Sequence, residues 1–146
     1  MIFLAVSAVA GSAAEHESLE QLITRADAAP EGQKPDLYLE IAEREVKVAS
    51  DSYSGGKAED GRAALQQVVS YADKAHALVL KSGKKLPHTE IKIRRMAARL
   101  RDLKRNVEAD EQTGVQAAID KLETFRTDLL QGMFGPKKES GKKLWG

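Results

Sequence analysis

Seven basic residues crowd into fourteen positions: Lys92, Arg94, Arg95, Arg99, Arg101, Lys104 and Arg105, with Asp102 the only acid among them. Guanidinium groups at that density are suited to anions, because each presents a planar fork of N–H donors to a phosphate or carboxylate. On a helix of about 3.6 residues per turn, Arg94, Arg101 and Arg105 fall on one side, and Lys92, Arg95 and Arg99 on another. An apolar stripe is expected between them at Ile91, Met96, Leu100, Leu103 and Val107. Lys92, Arg94, Arg95, Arg99, Arg101 and Arg105 therefore form a candidate anion-binding set, with anionic lipid or glycan as the ligand. The same residues also allow a structural use, in which the long stems cover apolar surface and the heads pair with Glu40, Glu43 and Glu45 of an acidic segment. Nucleic acid is disfavoured, since no aromatic residues interleave with the cations to stack on bases.

Other chemistry finds less support. The three histidines, His16, His76 and His88, are far apart in the chain, and no H-E-x-x-H or paired E-x-x-H motif is present, so zinc and di-iron ligand sets are not formed by any motif. There is no G-x-S-x-G around any serine. Gly83-Lys84 and Gly141-Lys142 resemble the end of a phosphate loop, but Leu78 and Pro136 stand where the leading glycine is required. Cysteine is absent, which removes disulfides, thiolate catalysis and a thiolate metal site together. Carboxylates are numerous, yet no spacing pairs two of them for acid–base work. The expectation is a protein that is not an enzyme and uses no cofactor.

The segments that must position the basic cluster follow from composition and periodicity. A chain of 146 residues fits one domain. It is 42% hydrophobic and 31% charged but only 5% aromatic, a balance that favours a folded, helical chain. Ile2 to Ala10 is short, apolar and uncharged, and Gly11-Ser12-Ala13-Ala14 follows. This pattern matches a secretory signal peptide over residues 1–14, cleaved between Ala14 and Glu15, with export to the periplasm or the cell exterior. No basic residue precedes Ile2, so either the start lies upstream or the leader is atypical. The remainder reads as a helical domain over 15–136 and a basic tail over 137–146 that carries Trp145 and is expected to be mobile.

The domain is expected to be all-α: an antiparallel bundle of about four long helices plus a short N-terminal one. Ser18 and Gln21 predict a capping box for the first helix, about Ser18 to Ala28, before Pro30, Gly32 and Pro35 break the chain. The long helices are expected at about Pro35–Ser54, Ala58–Lys81, His88–Ala109 and Thr113–Met133, the last capped by Thr113 with Gln116. Leu80 is placed in the core of the third helix. Charge divides along the chain: Glu15–Asp60 carries 5 basic and 12 acidic residues, and Gly61–Gly146 carries 18 and 10, which suits either complementary packing or a basic surface facing an anionic partner.

Val46, Ala49, Ser50 and Tyr53, followed by Ala64 and Val68, resemble the signature of one tetratricopeptide hairpin, although the loop is about two residues longer than usual. The whole pattern is also similar to that of uncharacterised exported bacterial α-helical proteins. The first resemblance implies a protein-interaction module with another protein as partner; the second implies no activity.

Overall fold

The computed structural model describes residues 17–135; the leader, the Ala14–Glu15 cleavage position and the basic tail lie outside them. Five α-helices follow one another: α1 Leu19–Ala28, α2 Lys34–Ser54, α3 Ala58–Ser82, α4 Leu86–Asn106 and α5 Ala109–Phe134. A single 3-10 turn, Glu31–Gln33, leads into α2, and no strand occurs among the described residues.

Local chemistry sets most of the boundaries. The Ser18 hydroxyl accepts from the Gln21 N–H at 3.1 Å while the Ser18 N–H donates to Gln21 Oε1 at 2.9 Å, the predicted capping box. Pro35 sits in the first turn of α2, where its missing N–H costs nothing. Gly83 closes α3 at φ +71°, its N–H donating to the Val79 carbonyl, in the left-handed region that side chains disfavour. Lys85 enters the same region at φ +63° without being glycine. Its ammonium donates to Asp36 at 2.8 Å and to the Gly32 carbonyl at 3.3 Å, which pins the start of α4 to the start of α2.

Three boundaries differ from the sequence expectation, one of them the end of α4, which falls at Asn106 rather than near Ala109. Helix α4 begins at Leu86, because Leu86 is buried and Pro87 is tolerated in a first turn. Helix α5 begins at Ala109, so Thr113 and Gln116 lie inside it and form no cap. Val107 and Glu108 alone reverse the chain. Asp110 and Glu111 then occupy the positive end of the α5 dipole in place of a side-chain cap.

The long helices form two hairpins, α2 with α3 and α4 with α5. Arg126 on Glu90 and Arg101 on Glu123 show that α4 and α5 run antiparallel. Between hairpins the directions match. Lys85–Asp36 and Lys92–Glu43 join α4 to α2 from their starts, while Arg62–Glu111 and His76–Asp128 join α3 to α5 in the same sense. The order around the bundle is α2, α3, α5, α4, so α3 and α4 are consecutive in the chain but largely opposite in space. Helix α1 lies on α2 and buries Leu22 and Ala26.

The core centres on Leu39, Ile41, Val68, Val79, Ile93, Met96, Leu100, Val115, Leu122 and Leu129. The α4 stripe runs through Ile93, Met96, Ala97, Leu100 and Leu103, and Ile91 is only half-buried. That set is the regular i, i+3, i+4, i+7 pattern. Leu80 is exposed, contrary to expectation, and Tyr71 and His76 complete the buried face of α3. Gly61 lets the first hairpin close, since a Cβ there would lie 2.6 Å from Cε2 of Tyr53.

Candidate functional site

The seven cations of α4 divide into two groups when their partners are examined. On the side facing α5, Arg101 pairs with Glu123 at 2.6 Å, Glu123 with Arg126 at 2.8 Å, Arg126 with Glu90 at 2.9 Å, and Glu90 with Arg94 at 3.8 Å. Glu90 is buried, and both Nε and Nη2 of Arg126 donate to its Oε1. Burial opposes the Arg126 charge, but hydrogen bonds to Glu90 and Glu123, with the charges of both, outweigh it and raise the arginine's pKa. Lys104 donates to Gln116 of α5 at 2.8 Å, and Arg105 pairs with Asp102 of its own helix. Arg94, Arg101 and Arg105 are thus engaged in ion pairs.

The acidic helix α2 takes up only one member of the cluster, Lys92, which meets Glu43 at 3.2 Å. Of its other expected acids, Glu40 pairs with Arg44 one turn along, and Glu45 is buried facing the core. Burial raises the Glu45 pKa above the usual carboxylate range. Arg95 and Arg99 are exposed, and among the described residues neither has a carboxylate within ion-pair distance. They stand one turn apart on the α2-facing side of α4.

Beside Arg99, the C-terminal halves of α2 and α4 diverge into an open cleft of about 560 Å³. Its floor is Val46 and Leu103 with Val107 and Tyr53; its walls carry Ser50, Ser54, Arg99, Asp102 and Asn106. The cleft lies between the last turns of these two parallel helices, α2 ending at Ser54 and α4 at Asn106. The Tyr53 hydroxyl is shielded from solvent and meets no hydrogen-bond partner among the described residues. Burial raises its pKa, and the nearby Glu111 charge acts in the same direction.

One group the sequence analysis set aside has a defined environment. His76 is buried, stacks on Phe125 at 4.7 Å between ring centroids, and faces a carboxylate at each nitrogen: Asp128 at 2.9 Å from Nε2 and Asp73 at 3.4 Å from Nδ1. Asp128 stands on α5, so its contact with His76, together with the stacking on Phe125, clasps α3 to α5. The Asp73-x-x-His76 spacing, one helical turn on α3, is the signal that could have marked it; Asp128, fifty-two residues on, carries none. His88 stays exposed and meets Asp36 at 3.3 Å. Among the described residues, no group of three or more histidines and carboxylates is placed to hold a metal ion.

Comparison with protein-family models, with curated proteins and with solved structures found no match for this chain.

Proposed function

We propose that this is a non-catalytic, exported helical module that acts by binding another protein in the periplasm or outside the cell. The observation that carries this reading is the α2–α4 cleft, where an apolar floor, hydroxyl and amide groups and Arg99, which has no ion-pair partner among the described residues, lie together. Protein-binding surfaces combine an apolar centre with a polar rim in this way. Two hairpins stacked with like helix beside like are also in keeping with the tetratricopeptide-like character of α2 and α3. The apolar segment Ile2–Ala10, followed by small residues, supports export.

The test is a photo-crosslinking amino acid at Ser50, in the cleft, or at Gln67, exposed on α3, in cells that express the full chain. One discrete adduct is expected from Ser50 and none from Gln67. Equal labelling at both sites, or none at either, would count against the reading. Amino-terminal sequencing of the secreted chain should begin at Glu15, and a chain retained in the cytosol with its leader intact would rule out export.

A second reading, binding of anionic lipid or glycan by α4, rests on Arg95 and Arg99 having no acid partner among the described residues. Charge reversal at both positions should abolish co-sedimentation with phosphatidylglycerol vesicles and retention on a sulfated glycan column. Unchanged binding by the double variant would exclude it.

A further inference from the structure

We infer that the occupant of the α2–α4 cleft is an acidic segment of the partner protein, in which a carboxylate side chain neighbours an apolar one. This rests on the interaction-module reading and goes beyond it by naming the chemistry of the partner.

The charges around the cleft give the sign. Of the four charged residues that line the cleft, Lys47 pairs with Asp51 at 2.8 Å, and Asp102 turns to Arg105 outside the lining, so each cleft acid already has a cation beside it. Among the described residues Arg99 is left without a carboxylate, and Arg95 extends the positive charge one turn along α4. The residual charge is therefore positive, and its complement is an anion. Guanidinium prefers a carboxylate or phosphate that it can grip with two parallel N–H bonds.

The rest of the lining decides between anions. Val46 and Leu103 are almost fully buried at the cleft floor, with Val107 half-buried beside them, which favours an apolar side chain next to the acid. Ser50 and Ser54 add hydroxyls that can donate to or accept from the amides of an extended backbone. A volume of about 560 Å³ lies within the usual range of ligand sites, about 300–1,000 Å³. An anionic bilayer fits less well. Stable attraction to such a surface takes clusters of about 4–8 cations. Among the described residues on this side of α4, only Arg95 and Arg99 lack a carboxylate partner, and Arg94, Arg101 and Arg105 are held in ion pairs.

The experiment is selection from a random dodecapeptide display library on the immobilised full chain, with three exposed-site variants in parallel. Arg99→Glu reverses the cleft charge, Ser50→Trp fills the cleft, and Lys121→Glu alters the distant α3–α5 groove. Each variant is checked for an unchanged helical melting curve. On the parent and on Lys121→Glu, Asp or Glu next to Leu, Ile, Phe or Met should be enriched at least fivefold over the input. Arg99→Glu should lose the acidic enrichment, and Ser50→Trp should lose selection altogether. No acidic enrichment on the parent overturns the inference, as does enrichment that survives both cleft variants. Arg99-dependent pelleting with phosphatidylglycerol vesicles, with no selected peptide, overturns it in favour of a lipid surface. A discrete Ser50 crosslink without acidic enrichment would leave the interaction module standing and remove only this inference.

Discussion

Thr89 is fully buried in α4, and its hydroxyl meets no partner among the described residues. A shielded hydroxyl without a hydrogen bond costs folding free energy, and replacing it by a methyl group of similar shape removes that cost. Thr89→Val should therefore stabilise the protein by about 1 kcal/mol, read from urea denaturation. Glu45 poses a related problem with a charge: it is buried, no ion pair reaches it among the described residues, and burial raises its pKa. Because the folded state holds the proton more tightly than the unfolded chain, this residue opposes folding once the pH rises above its unfolded pKa. The opposition grows until the pH passes the folded pKa and is then constant; below both values it vanishes. Glu45→Gln should raise the melting temperature at neutral pH and converge with the parent in acid. A difference that widened towards acid would contradict the burial argument.

At the scale of elements, the α4–α5 hairpin is joined by the ladder Arg101–Glu123–Arg126–Glu90–Arg94. Its critical member is Glu90, which is buried and without Arg126 would keep only the longer 3.8 Å contact with Arg94, losing both of its hydrogen bonds from the Arg126 guanidinium. Arg126→Leu should cost about 3 kcal/mol, the usual effect of removing one partner of a buried pair. The double variant Glu90→Leu/Arg126→Leu should recover most of that loss, because no buried charge then remains. Thermal melts of the two single variants and the double form the cycle, and additive losses would show that the pair is not coupled. Part of this hairpin was legible in the sequence: Met96, Leu100 and Leu103 follow helical spacing and are buried, although Ile93 rather than Ile91 begins the buried stripe. The ladder was not, because Arg126 meets Glu90 across thirty-six residues and nothing local marks that pairing.

For the whole molecule, the ring order α2, α3, α5, α4 makes each hairpin the cover for the other's core. Leu122 is fully buried on α5, inside the core shared by both hairpins. Leu122→Ala should cost about 3 kcal/mol in cavity and transfer terms. If the hairpins depend on each other, the loss should appear as a single cooperative transition at lower denaturant, with exchange protection in α2 and α3 falling together with that of α4 and α5. A variant that frees α4 and α5 for exchange while α2 and α3 stay protected would show two independent units. The same ring order makes the cleft, since it sets α2 and α4 side by side and parallel, with their C-terminal ends apart.

The sequence by itself determined the all-α class, the number of helices and most of their ends. Those depend on neighbours within one turn, such as Ser18 with Gln21, Pro35 in a first turn and Gly83 at a helix end. It also identified the arginine-rich helix as the feature to examine. Only the tertiary structure decided which arginines remain available, because an arginine is neutralised by whichever acid the packing brings near it. That acid is Glu123 for Arg101, twenty-two residues away, while Arg95 and Arg99 have none among the described residues. It likewise placed His76 between two carboxylates and brought Val46, Ser50 and Leu103 into one cleft. Spacing along a helix reports which residues share a face, but not what packs against that face. In this protein the difference separates the arginines already held in ion pairs, within α4 or across to α5, from Arg95 and Arg99, which have none among the described residues.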